Sequence, residues 1–193
     1  MNTAIMVKRI AEMSPRSKAR IAGVFYLITF LAGAFSLVSG SGGLAASLIA
    51  TISYVAVTVL FYDLFKSVSR NISGLAAIFS LVGCTMGALG AFHLNPFHIN
   101  SLVFFGFYCI LIGYLILRST FLPRILGALM VLGGLGWLTF LSPPLASYLA
   151  PYNMFPGILG EGVLTLWLLA VGMNDQRWKE QASAVIARGI EWH

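Results

Sequence analysis

The chain has 193 residues, 59% of them hydrophobic and only 9% charged, with a mean hydropathy of +0.89. Soluble domains carry about 25% charged residues, so this composition excludes a water-facing globular surface and leaves a helical bundle in lipid. The net charge is +6, but no aromatic-interleaved basic patch accompanies it; the surplus reads as contact with an anionic membrane face and not as a nucleic-acid site.

In chain order, residues 1–19 form a basic arm with Lys8, Arg9, Arg16 and Lys18. Its stretch 4–13 fits a short interfacial helix with Lys8, Arg9 and Glu12 toward water. The apolar run that follows is longer than the 7–15 residues typical of a signal peptide's core, so it reads as a first membrane span. Six apolar segments follow one another at about 21–39, 43–65, 72–92, 101–117, 121–141 and 154–173. They are continuous, not alternating, which predicts helices and not barrel strands. The expected fold is therefore all-α, a polytopic integral membrane protein built as a six-transmembrane-helix bundle over 20–174. Beyond it, 175–193 repeats Trp178, Ala182, Val185, Ile186 and Ile190 at helical spacing, an amphipathic cytoplasmic tail lying on the leaflet.

The joints set the direction. "SGSGG" at 39–43, "HLNPFHIN" at 93–100 and "SPPLASYLAPYN" at 142–153 contain no Lys or Arg. The arm together with Arg20 just after it, the joint with Lys66 and Arg70, the joint with Arg118 and Arg124, and the tail with Arg177, Lys179 and Arg188 hold all twelve basic residues. One-sided charge of this kind places both termini in the cytoplasm, in the cell (inner) membrane. Gly83, Gly87 and Ala91 recur every four residues, and Gly127, Gly133, Gly134 and Gly136 thin the fifth span; small residues so spaced let helix backbones approach. The partner helix belongs either to this chain or to a second copy, so a homo-oligomer stays open. Cys84 and Cys109 read as buried free thiols.

Glu161 lies within the last span, in "GILGEGVLTLWLLAVG" at 157–172. A charge at the centre of a lipid-bound helix costs about 2.5–3.5 kcal/mol even on lenient insertion scales, so this side chain is expected to face the bundle or a water-filled cavity. Counting equal depth along the other spans offers Thr51, Thr85 and Tyr108 as neighbours, with Thr139 shallower and Tyr108 the preferred partner. His93 and His98 flank Asn95-Pro96 in the third joint and are the candidate metal ligands, though their spacing is no recognised motif. Asp63 reads as a local ion pair with Lys66. Tyr26, Tyr54, Trp137 and Trp167 read as packing and interface aromatics. No GxSxG, Walker loop, HExxH or GxGxxG stands in a usable context.

The phrases "RIAGVFYLITFLAG" (20–33), "LFYDLFKSVSRN" (60–71), "FGFYCILIGYLILRSTFLPRILG" (105–127) and "LGEGVLTLWLLAVGMN" (159–174) resemble a bacterial and archaeal membrane family, domain of unknown function family 4386. The resemblance implies a small polytopic membrane protein and brings no established activity. Glu161 matches the glutamate of the family's L-G-E phrase; Arg118, Pro123 and Arg124 match its R-S-x-F-L-P-R phrase. Members often carry histidine where this chain has Tyr108, so no metal or haem ligand is carried over to that position.

Three functional readings follow. The first is a non-enzymatic membrane protein that binds or passes a small or lipidic ligand in an outward-facing cavity near Glu161, Tyr108, Thr85 and Thr51. The second is a metal- or haem-dependent enzyme or redox protein using Glu161 with His93 and His98. The third is a structural or accessory membrane subunit.

Overall fold

A computed structural model describes residues 13–38, 42–94 and 100–190. The proposed interfacial helix at 4–13 therefore lies almost wholly outside the described residues, as does His98. Among the described residues the chain is helical, with no strand. Helices α1 (Pro15–Val38), α2 (Gly43–Phe65), α3 (Arg70–Ala91), α4 (Leu102–Arg118) and α5 (Arg124–Leu138) follow in order. After α5 come a 3₁₀ turn, the short α6 (Pro143–Leu149), a second 3₁₀ turn, α7 (Phe155–Ala170) and α8 (Asp175–Ile190).

Local chemistry sets the boundaries. Ser14 precedes Pro15 and its Oγ accepts the Ser17 N–H at 3.2 Å; a serine cap followed by proline is a strong helix start. The first helix thus begins six residues before the apolar run at 21 and takes in Arg16, Lys18 and Arg20. Asn174 caps α8 in the same way, accepting the Arg177 N–H at 3.0 Å. Within the proline-rich joint at 142–153, Pro143 and Pro144 occupy the first turn of α6, where their missing N–H groups cost nothing.

Five stretches are long and apolar enough to cross a membrane: Pro15–Ser36, Gly43–Phe65, Arg70–Ala91, Arg124–Leu141 and Tyr152–Ala170. The fourth expected span, α4, is equally apolar but only 17 residues long. This long, apolar helical make-up points to a membrane protein.

Helix α1 packs on α2, α2 on α3, α3 on α4, α4 on α5 and α5 on α7, and α7 closes against α1, so these six helices form a ring. The α4–α5 seam is a close approach of two backbones. A Cβ added at Gly113 would stand 2.7 Å from the Gly127 carbonyl oxygen, and one at Gly134 would stand 2.6 Å from that of Gly106. Gly127 and Gly134 of α5 thus face α4, while Gly133 and Gly136 face Pro156 and Asn153 on the other side. Gly83 of α3 packs against the Phe105 ring, while a Cβ at Gly87 would stand 3.7 Å from the Ser101 hydroxyl, an ordinary contact.

One end of the ring gathers the basic residues. Lys18 pairs with Asp63 at 2.6 Å, and Lys66 joins the same carboxylate. Arg16 Nε donates to the Val171 carbonyl at 3.2 Å and Arg20 to that of Ala170 at 3.4 Å, cations on the last carbonyls of α7. The α8 helix docks here: Trp178 Nε1 donates to the Leu64 carbonyl at 2.8 Å, and Gln181 accepts the Thr120 N–H at 3.0 Å. Its first turns are thus held by protein at the bundle end. We call this the basic end, and the opposite one, free of Lys and Arg, the far end.

Candidate functional site

Glu161 sits in the second turn of α7, buried at 6% exposure. The turn before it is thin by necessity. A Cβ at Gly157 would lie 2.2 Å from the Trp137 ring, and one at Gly160 would lie 2.5 Å from the Leu129 carbonyl. Gly157 therefore admits the Trp137 indole between α5 and α7, and the indole reaches the carboxylate.

Four neutral groups from four other helices surround that carboxylate. Oε1 accepts from Trp137 Nε1 at 2.8 Å and from Cys109 Sγ at 3.5 Å. Oε2 accepts from the Tyr26 hydroxyl at 2.9 Å and the Tyr54 hydroxyl at 3.2 Å. The two phenols lie 3.2 Å apart at their oxygens, with their rings edge-on at 5.4 Å between centroids. A carboxylate offers about four acceptor positions, and this cage fills them. Hydrogen bonds to a charged group contribute about 1.5–3 kcal/mol each, which offsets a burial cost of several kcal/mol. One step down α7, Thr165 donates to the Glu161 carbonyl at 2.7 Å.

The cage borders a cavity of about 590 Å³. Its wall is drawn from Tyr26 to Ser36 on α1, Ser47 to Tyr54 on α2, Gly83 to Gly87 on α3, the start of α4, Trp137, and Met154 to Glu161. Every one of these stretches belongs to the far half of the ring. Gly33 and Gly87 line the space, and a Cβ at Gly33 would meet nothing within 4 Å. Toward the basic end the bundle is filled: Phe61, Leu64, Phe65, Leu115 and Leu168 are each at most 1% exposed.

The expected neighbours of Glu161 need correcting. The Tyr108 ring packs edge-on against Tyr54 at 5.7 Å, and its buried hydroxyl has no hydrogen-bond partner among the described residues. Thr85 is on the exposed side of α3 and donates to the Leu81 carbonyl. Thr51 does line the cavity, but its hydroxyl is turned to the Ser47 carbonyl. Thr139 donates to the Gly136 carbonyl and accepts from Asn153. Equal depth along separate helices selected these residues. It ignored which face each helix turns inward and how far a phenol or indole carries its polar atom from its own Cα. Tyr26, Tyr54 and Trp137 read from the sequence as packing and interface aromatics; the signal that marks them as donors is a hydrogen-bonding tip on an otherwise apolar ring.

His93 is exposed at the end of α3, with φ of 57°. Among the described residues no three of His, Cys, Asp and Glu come together as a group able to hold a metal. Cys84 and Cys109 are both buried and unbridged, as expected.

Residues 91–172 match the model of the family described as "Domain of unknown function (DUF4386)", the family that the sequence phrases resemble. The match takes in Cys109, Trp137 and Glu161 and stops short of Tyr26 and Tyr54. An "Uncharacterized protein" of Archaeoglobus fulgidus is 28% identical over 124 residues, covering 61% of this chain and 76% of its own. No solved structure matches the chain.

Proposed function

We propose that this is a six-span protein of the cell membrane, with both termini in the cytoplasm, that binds or passes a small or lipidic ligand in a cavity open to the outer face. The observation that carries the reading is the location of the cavity. Glu161 forms its floor, and its lining comes entirely from the half of the ring opposite the basic residues. Positive charge at one end sets that end in the cytoplasm, so the hollow half faces outward.

The sixth span is supported by the ring itself. Helix α4 lies between α3 and α5 and has lipid-compatible composition throughout. At 1.5 Å per residue it rises about 26 Å, a few ångströms short of the hydrocarbon layer, which local thinning of the bilayer accommodates. A binding role is favoured over an enzymatic one because the groups around Glu161 are already committed to one another as donors and acceptor, and His93 stands outside that cage.

Labelling of introduced cysteines in intact cells tests the orientation, with the buried Cys109 kept. Cys84 lines the cavity, so the background carries Cys84→Ala. Ser147→Cys on exposed α6 should react with a membrane-impermeant thiol reagent added outside. Asn71→Cys, exposed at the start of α3, should react only after permeabilisation. The reverse pattern overturns the proposed orientation.

A further inference from the structure

Glu161 is the one acidic residue among those lining the cavity, and none of the lining residues is Lys, Arg or His. Among the described residues the ion pairs join Asp63 to Lys18 and Lys66, at the basic end. The donors on Glu161 are two phenols, an indole and a thiol, all uncharged. The cage therefore holds a carboxylate in place without neutralising it.

Two further features narrow what completes it. First, the four protein donors take up the acceptor positions of the carboxylate, leaving little for a ligand N–H. Charge is thus the feature of the ligand that Glu161 reads. Second, Tyr26, Tyr54, Phe30, Phe105 and Trp137 are all among the lining residues. Aromatic rings attract cations electrostatically, and aromatic cages with a carboxylate suit ammonium groups that carry no N–H. Most of the remaining wall is alanine, glycine, leucine, isoleucine and methionine, suited to an alkyl chain.

We propose that the cavity takes a lipophilic quaternary ammonium, its head against Glu161, Tyr26, Tyr54 and Trp137 and its chain along the apolar wall toward the far end. The inference rests on the cavity being a ligand site, and the test separates the two. The purified full chain in a non-ionic detergent is titrated with octyltrimethylammonium, octanol and octanoate, following tryptophan fluorescence. The cation should bind at least tenfold tighter than octanol, and octanoate more weakly than either. Glu161→Gln should bring the cation to within about threefold of octanol. Gly33→Leu fills the cavity away from the cage and should weaken the cation and octanol alike.

Equal binding of the cation and octanol by the unmodified protein overturns the cation inference and leaves the ligand site standing. Absence of binding by all three probes, or indifference of all binding to Gly33→Leu, overturns both. Should Glu161→Gln fail to fold, the ordering of the three probes on the unmodified chain still decides the matter.

Discussion

Between Glu161 and the basic end the ring of helices is solid; between Glu161 and the far end it is hollow. The same helices build both halves. Helix α2 carries Phe61, Leu64 and Phe65 toward the basic end, all at most 1% exposed, but Ser47, Ala50 and Thr51 at the cavity wall. Helix α1 contributes Gly33 and Ala34 to the hollow half, and α3 contributes Gly83 and Gly87. The solid half is also tied across helices by Arg16, Arg20, Lys18 and Trp178. In the hollow half four side chains from four helices converge on one carboxylate, beside a tie from Thr29 to the Ala50 carbonyl. Side-chain size along each helix thus decides where the bundle is filled, and a single acidic residue organises the part that is not.

The largest expected effect separates the halves by packing. In lipid, helix association rests on van der Waals contact and hydrogen bonds, with no water to drive burial. Truncating a fully packed side chain therefore removes contacts that nothing replaces. Leu168→Ala and Leu126→Ala, each 1% exposed, should destabilise by about 2 kcal/mol or more. Ile158→Ala, which borders the cavity and is 49% exposed, should cost less than about 1 kcal/mol. Thermal unfolding in detergent checks the ordering, and equal losses at the two kinds of position would erase the distinction between filled and hollow halves.

A smaller effect is expected at the boundary between them. Trp137→Phe keeps a ring against Gly157 but removes the donor at 2.8 Å from Glu161 Oε1. Leaving a buried acceptor short of a partner costs about 1–3 kcal/mol. The same unfolding measurement should show a loss in that range. No loss would mean that the indole is merely packed there and that the cage does not depend on its N–H.

How much of this is written locally in the chain differs between the two halves. The helices and the gathering of basic residues at one end follow from runs and charges that a single segment displays. The inward face of Glu161 follows from the cost of a carboxylate in lipid. Its donors do not follow from any segment: Tyr26 is 135 residues away in sequence, and Tyr54 is 107. Trp137 reaches it only because another helix has glycine at 157. Asp63 shows the same division, since Lys66 lies one turn on whereas Lys18 arrives from 45 residues away. Local pairs can be read from spacing; pairs made by the ring need the ring.

Access of water and ligand to the hollow half from outside is tested most directly by a thiol at its wall. Gly33→Cys, in the Cys84→Ala background, puts a small side chain where a Cβ meets nothing within 4 Å. Added to intact cells, a small cationic methanethiosulfonate reagent should modify this cysteine, and octyltrimethylammonium should slow the reaction. An unmodified Gly33→Cys thiol, on cells where Ser147→Cys reacts fully, would contradict a cavity that opens outward onto Glu161.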